Sequence, residues 1–301
     1  MIVARDQRLL TRATNGDEQA LLRTAANTFP TFPAWSPDGK SIAYAQSTIF
    51  TGQGGADWGG DIFIVDAGGG NPRLLWKHDQ PGAQVQGLAW TPDGAALLFG
   101  YQLTKIKDGR YEGQVHRIDR IAVADGKVST VVDGALLPSL SKDGSKLAYL
   151  TQTEDGKGGL WVGGPDGSGA TQVIELGQRF LAIMFPRLSP DGGALAFSAV
   201  VTQARAPEPR QDRGLLAALR GLLASSADAH GFPMDVWRVT VADGAVTKLT
   251  SFGEDEPYPV WGPDGRRLTI IATGGIYEVN ADGSDMKKVG QGSFGGQVDV
   301  R

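Results

Sequence analysis

Candidate chemical groups are few in this 301-residue chain, which contains three histidines and no cysteine. The lack of cysteine excludes disulfides, thiolate metal ligands and a cysteine nucleophile. His78, His116 and His230 could hold a divalent metal only if folding brought them together, because their spacing matches no helical or hairpin metal motif. We therefore expect isolated surface histidines, no metal site and no other cofactor.

Three further stretches could support chemistry. The acidic run Glu254, Asp255 and Glu256 could perform acid–base work, although a solvated loop is the simpler interpretation. A serine hydrolase would need a Gly-x-Ser-x-Gly elbow between a strand and a helix, whereas GPDGSGA at 164–170 predicts only a hairpin turn. The glycine-rich GQGGADWGG at 52–60 lacks the Lys-Ser/Thr pair of a phosphate-binding loop, so we predict a simple loop there.

Composition narrows the classes of partner. A net charge of -4 without any basic run argues against nucleic acid. No apolar run approaches the roughly 20 residues that a membrane helix needs, and the chain starts with IVARDQRLL after Met1 without an apolar signal region. We therefore expect no membrane insertion. The 43 glycines suit a fold of many short strands and turns.

A short pattern returns five times and organises the chain. Each copy predicts a strand, a tight turn and a second strand, because Pro presets the first turn position, Asp bonds its neighbouring backbone and Gly adopts a left-handed conformation. The copies are PAWSPDGKSIAY at 33–44, LAWTPDGAALLF at 88–99, PSLSKDGSKLAY at 138–149, PRLSPDGGALAF at 186–197 and PVWGPDGRRLTI at 259–270. A regular repeat of hairpins predicts a propeller with one copy in each blade.

The two chain ends are predicted to share a sixth blade. Alignment with the last full repeat places residues 1–4 and 9–10 on its second and third strands, and a further alignment places 298–301 on an innermost strand. Three N-terminal strands and one C-terminal strand would then close the ring and remove open sheet edges. The expected fold is all-β: a six-bladed β-propeller with four-stranded blades, formed by residues 1–301 as a single domain.

Blade four is predicted to carry a helical insertion at about 202–234, because the interval between the fourth and fifth turns is the longest. Asp212 is a suitable N-cap for a helix through RGLLAALRGLLASS. Four leucines would lie on one face of that helix: Leu215, Leu219, Leu222 and Leu223. We expect this face to dock on the propeller; a lid or partner-docking helix is the alternative.

The W-S-P-D-G turn, followed by an I-Y-V-x-(A)DG-type hairpin and a short LT-like strand, resembles the repeat of the TolB-like six-bladed propellers, which is also described as WD40-like. The resemblance covers nearly the whole chain, with Lys142 in place of proline in the third copy and Gly262 in place of serine in the fifth. It implies the fold, but no single activity, because such repeats serve binding scaffolds, regulatory domains of serine peptidases and some lyases. It also implies an extracytoplasmic bacterial setting, periplasmic or at the cell surface, although we recognise no signal peptide.

One face of the predicted propeller is more diverse than the other. PDG turns and ADG-like hairpins form the uniform face, whereas the opposite face receives the 47–60 and 101–114 loops, the insertion and the acidic run. Recognition commonly uses such loops on a rigid scaffold. We therefore predict a binding site where this face meets the central channel, formed by Phe29, Phe32, Gln86, Leu137, Phe185, Glu254, Asp255, Glu256 and Tyr258. The tryptophans Trp35, Trp90 and Trp261 are expected to pack between blades instead.

An apolar, aromatic channel mouth would suit an apolar ligand or an inserted peptide. The leading prediction is a monomeric, non-enzymatic scaffold that binds a protein or peptide partner. One alternative is a metal-assisted, lyase-like enzyme acting on carbohydrate through the histidines and residues 254–256. Another is a regulatory or sensor domain of a larger protein.

Overall fold

The computed structural model describes residues 1–13, 16–48, 58–108, 110–153, 158–201, 233–291 and 297–300. These residues form six antiparallel sheets, each with a path of four strands. The innermost strands of successive sheets contact one another in cyclic order, and the last contacts the first. The fold is therefore an all-β, six-bladed propeller with four-stranded blades, as predicted.

The strands fall into blades as follows. The sixth blade takes the first three strands, β1 (Ile2–Arg5), β2 (Arg8–Arg12) and β3 (Glu18–Arg23). Blade one contains β4 (Thr28–Trp35), β5 (Ser41–Thr48), β6 (Gly60–Asp66) and β7 (Arg73–Trp76). Blade two contains β8 (Gln84–Trp90), β9 (Ala96–Lys107), β10 (Arg110–Ala122) and β11 (Val128–Asp133). Blade three contains β12 (Ala135–Leu140), β13 (Leu147–Gln152), β14 (Gly158–Gly163) and β15 (Thr171–Glu175).

The remaining strands complete the ring. Blade four contains β16 (Phe180–Leu188), β17 (Ala194–Val201), β18 (Pro233–Thr240) and β19 (Val246–Lys248), and the short β20 (Glu254–Asp255) pairs with β18. Blade five contains β21 (Tyr258–Trp261), β22 (Arg267–Ala272), β23 (Gly275–Asn280) and β24 (Lys287–Gly290). The last strand, β25 (Gln297–Asp299), is the innermost strand of the sixth blade.

The predicted closure between the chain ends is confirmed. Strand β25 pairs antiparallel with β1, and Val298 lies opposite Val3 with both side chains buried. Two side chains of β25 also bind the next blade, because Gln297 accepts a hydrogen bond from the Phe32 N–H and Asp299 accepts one from the Trp35 N–H at 2.8 Å. Backbone pairing on one side and side-chain hydrogen bonds on the other join the sixth blade to the ring.

The repeated turns have the local structure that their residues predict. In the first turn, Gly39 has a φ of 67°, and the Asp38 carboxylate accepts hydrogen bonds from the Ser36 hydroxyl at 2.7 Å and the Lys40 N–H at 3.0 Å. These hydrogen bonds lower the pKa of Asp38, the backbone N–H contributing most. The aspartates of the other four turns accept the same backbone hydrogen bond, at 3.0 Å in each case.

Large side chains pack between neighbouring blades. Trp90 of blade two donates its indole N–H to the Ala34 carbonyl of blade one at 3.0 Å, and Trp261 of blade five donates to the Arg187 carbonyl of blade four at 2.8 Å. Both indoles therefore link inner strands of adjacent blades, as expected for them. Such contacts tie each sheet to the next and keep the channel walls in fixed positions.

The predicted helix falls on residues 202–232, which lie outside the described part of the chain. Pro233 and Met234 were also assigned to that insertion, but they begin β18 and pair with Asp255 and Glu254. The end of the insertion was placed too late, because Met234 and Val236 are already the buried positions of a strand, with Asp235 between them. Over the described ranges, no helix has the length and apolar character needed to cross a membrane.

Candidate binding site at the channel mouth

Four innermost strands are interrupted at equivalent positions by a β-bulge. The pairing of the first and second strands skips two residues between Thr31 and Ala34, and it does the same in blades two, three and four. In three of these blades the skipped pair ends in proline, which has no N–H to donate to the ladder. The residue before it takes a left-handed backbone: Phe32 (φ 49°), Leu137 (φ 55°) and Phe185 (φ 51°).

The bulges bring three bulky side chains together inside the channel. We call these side chains the collar: Phe32, Leu137 and Phe185. The two phenylalanines are 6–7% exposed and the leucine is half-buried. Together they surround a gap of about 10 Å³. When the repeats are aligned on their turns, Gly87 (φ 90°) of blade two takes the position of Phe32. A Cβ there would lie 3.2 Å from the Leu137 Cα, so glycine allows the collar backbone to approach.

Above the collar lies a cavity of about 130 Å³. Its lining includes the starts of first strands and the ends of second strands, which meet at the loop face, so the cavity is the channel mouth. Apolar residues form the side near the collar: Leu136, Leu150, Ile183 and Met184. Five glutamines supply most of the polar lining: Gln84, Gln86, Gln102, Gln152 and Gln297.

The electrostatics of the mouth are nearly neutral. Gln86 donates a hydrogen bond to the Gln102 side-chain carbonyl at 2.8 Å, which orients both amides. Among the described lining residues, Glu256 alone carries a charge, and its backbone is left-handed with a φ of 44°. Neutral amides beside apolar side chains can hydrogen-bond to peptide groups while the apolar part excludes water.

The predicted site residues separate into two groups. Those that line the mouth cavity are Phe32, Gln86, Leu137, Phe185 and Glu256. The structure places the other four elsewhere. Phe29 lies near the start of β4, opposite Ser47 of the lining, and does not itself line the cavity.

Tyr258 is buried below the collar, 1% exposed, with its ring 4.6 Å from that of Phe185. Its hydroxyl accepts a hydrogen bond from Arg187. Glu254 and Asp255 form β20, and Glu254 accepts a hydrogen bond from the Gly274 N–H at 2.9 Å. These two acids therefore stabilise the edge of blades four and five instead of facing the channel.

Two charged residues below the collar, Arg187 and Asp299, were not among the predicted site residues. Burial lowers the pKa of the Arg187 guanidinium, and the attraction of the Asp299 carboxylate opposes this shift. Burial raises the pKa of the Asp299 carboxyl, and the Trp35 N–H opposes that shift. Arg187 could have been found from the repeats, because it occupies a position where the other copies have Ala34, Ala89, Ser139 or Val260.

Neither of the two described histidines, His78 and His116, lines the mouth cavity. His78 contacts Asp61 at 2.6 Å through Nδ1, and His116 lies 3.0 Å from the Gln114 side-chain oxygen, where burial lowers its pKa. His230 lies outside the described residues. Within the ranges that the structure describes, no three His, Asp or Glu side chains form a group that could hold a metal ion.

Comparison with known proteins bears on the fold. No protein-family model and no curated protein matches the chain. Among solved structures, TolB from Acinetobacter baumannii has a TM-score of 0.61 at 16% identity, over 95% of this chain and 61% of that one. A protein assigned as TolB from Agrobacterium tumefaciens has a TM-score of 0.60 at 14% identity, over 97% and 90%.

The same architecture occurs in unrelated settings. A chain of a nidogen–laminin complex has a TM-score of 0.60 at 11% identity, over 96% of this chain and 94% of that one. At such identities the likeness shows the fold alone. The chain has a TolB-like six-bladed propeller, and it spans about three fifths of the Acinetobacter protein.

Proposed function

We propose that this protein is a non-enzymatic scaffold that holds a protein or peptide partner at the channel mouth. The size of the cavity carries the proposal. Its volume of about 130 Å³ is well below the roughly 300–1,000 Å³ of small-molecule sites. It is close to the roughly 150 Å³ that holds a benzene-sized group. The mouth therefore fits one anchoring side chain of a larger partner better than a complete substrate.

The lining suits such an anchor. The collar and its apolar neighbours would contact an apolar or aromatic side chain, and buried anchors of this kind supply much of the affinity of protein interfaces. The glutamine amides would hydrogen-bond to the main chain on either side of the anchor. Glu256 would favour a partner that places a cation near the rim.

The backbone of the collar supports the same proposal. A bulky residue with positive φ is an outlier that costs about 1–3 kcal/mol and persists where the surroundings enforce it. Here it recurs at Phe32, Leu137 and Phe185. Bulges of this kind commonly redirect side chains next to functional sites.

The likeness of the fold to TolB structures supports a bacterial, extracytoplasmic setting for this scaffold, periplasmic or at the cell surface. In this proposal residues 1–301 act as one propeller domain. The sequence also left an enzyme and a sensor domain as alternatives. Neither role predicts a cavity that fits a single side chain, so the size of the cavity does not favour them.

The experiment is an affinity capture with a variant that fills the mouth. Gln152→Trp places an indole at the cavity lining, while Val128→Trp adds the same side chain at an exposed position of β11. A protein retained from cell extract by the natural sequence and by Val128→Trp, but lost with Gln152→Trp, supports the proposal. Retention of the same proteins by all three, with unchanged melting temperatures, would contradict it.

A further inference from the structure

The hairpin of blade two projects beyond its sheet. Strands β9 and β10 are the longest of the described strands, and β8 accompanies β9 only as far as the Gln84–Gln102 pair. The next residues of β9, Leu103–Lys107, pair with β10 alone. At about 3.4 Å per residue, the hairpin extends roughly 17 Å beyond the blade.

The chain before β8 leaves the edge of β9 open. Instead of continuing along β9, it binds blade one: the Gly82 N–H donates to the Trp58 carbonyl at 2.7 Å, and the Gly60 N–H donates to the Ala83 carbonyl at 2.8 Å. Within the described part of the chain, Leu103–Lys107 makes no backbone hydrogen bond except to β10. Leu103 is buried, but Thr104 is half-buried and the next three residues are exposed. Alternate N–H and C=O groups of Thr104–Lys107 on the side away from β10 therefore remain available.

A groove of about 600 Å³ follows this open edge. Its lining includes the consecutive residues Leu103, Thr104, Lys105 and Ile106. Since consecutive side chains of a strand point to opposite faces, a groove that touches all of them reaches the strand edge. It also covers one face of the hairpin, because Glu112, Val115 and Arg117 of β10 line it as well. Trp58, Gln80 and Pro81 form the opposite wall.

The floor of the groove is held in place. The Arg117 guanidinium lies 3.5 Å from the centre of the Tyr101 ring and pairs with Asp119 at 2.7 Å. The Tyr101 hydroxyl donates to Asp79 at 2.8 Å. These contacts fix the floor before any partner arrives, which reduces the entropy lost on binding.

We propose that this groove is a second binding site, which takes an extended segment of a partner protein as an added strand on β9. The added strand would bind the outward-pointing backbone groups of Thr104–Lys107 and lie against Trp58 and Pro81. Addition of a strand to an open edge is a common mode of peptide recognition, in which the backbone gives affinity and alternate side chains give specificity.

The charges along the edge define the segment. Lys105 and Lys107 are exposed and share one face of β9, while Ile106 is 66% exposed on the other. Residues directly opposite each other in neighbouring strands are favoured when their charges are opposite. The partner segment therefore alternates acidic residues, placed opposite the lysines, with apolar residues on the face of Ile106.

The test uses the full protein and an eight-residue peptide in which glutamate alternates with valine, with blocked termini. Hydrogen exchange of those Thr104–Lys107 amides that point away from β10 should slow when this peptide is added, and a peptide with lysine in place of glutamate should have little effect. Lys105→Glu combined with Lys107→Glu should lower the affinity for the glutamate peptide by roughly tenfold and raise the affinity for the lysine peptide.

Matched controls keep the result specific to the groove. Lys127→Glu combined with Lys142→Glu changes the net charge by the same amount at two exposed positions and should leave peptide binding unchanged. Gln152→Trp, which fills the channel mouth, should also leave it unchanged. Slowing that is equal for both peptides, no slowing at all, or outward-pointing amides that are already protected in the free protein would each overturn the proposal.

Discussion

Gly87 is the residue through which blade two accommodates the collar. Its φ is 90°, and a Cβ would meet the Leu137 Cα and the Pro138 Cδ at 3.2 Å. Gly134 has a φ of 72° but no atom within 4 Å of its ideal Cβ. Comparing the same substitution at the two glycines therefore separates the free-energy cost of the backbone conformation from the cost of crowding.

We expect Gly87→Ala to lower the free energy of unfolding more than Gly134→Ala. Both variants force alanine into a left-handed backbone, at about 1–2 kcal/mol, and only Gly87→Ala adds a contact with the collar. Urea unfolding followed by circular dichroism measures the difference. Equal losses in the two variants would show that the collar backbone does not press on Gly87.

Asp143 allows the turn structure to be tested by titration. Hydrogen bonds from the Ser141 hydroxyl and from Ser145 lower the pKa of Asp143 to about 2. Because the ordinary pKa is 3.8, the stabilisation from this carboxylate is complete above about pH 4 and is lost as the pH falls towards 2. Ser141→Ala should raise the pKa of Asp143 towards its ordinary value.

Carboxyl-carbon NMR measures that change directly. Asp93, whose pKa is lowered mainly by the Thr91 hydroxyl, serves as an internal control and should not respond to Ser141→Ala. An unchanged pKa for Asp143 in the variant would mean that the serine hydroxyl is not its main partner.

At the scale of elements, the short strand β25 closes the ring. Val298 is fully buried between β1 and the neighbouring inner strands, whereas Val289 on β24 is 50% exposed. Val298→Asp would place an unpaired charge in the core and cost about 3 kcal/mol or more. Val289→Asp, the same change on the surface, should alter the free energy of unfolding by no more than about 0.5 kcal/mol.

Thermal and urea unfolding of both variants tests the role of the closure. Val298→Asp should also expose the edge of β1 and promote aggregation, since an open edge strand invites pairing with other chains. If the two valines behaved alike, β25 would not be needed to hold the ring.

For the whole molecule, the fold could be predicted because its instructions are local and repeated. Each turn contains its own Asp and Gly, and four of the five also contain Pro, so five copies fix five hairpins, and the chain ends supply the sixth blade. The site could be predicted less completely. Phe32 and Phe185 precede a proline and reach the collar through a bulge, but Tyr258, which also precedes a proline, begins an unbulged strand and stays buried.

The glutamines show what local patterns cannot supply. Gln84, Gln152 and Gln297 belong to three different blades and meet only because the ring brings their strand ends to one mouth. The spacing of isolated polar residues in the sequence does not indicate which of them will lie together. Arg187 differs, since an arginine at an otherwise small or apolar repeat position could have been recognised from the sequence.

The most direct test of the binding proposal is photocrosslinking from the mouth. A p-benzoylphenylalanine at position 152, in place of Gln152, would lie at the cavity lining, and the same group in place of Val289 would lie on an exposed outer strand. We expect irradiation in cells to join a partner protein to the first variant and not to the second. No crosslink from position 152, or the same products from both positions, would contradict a partner held at the channel mouth.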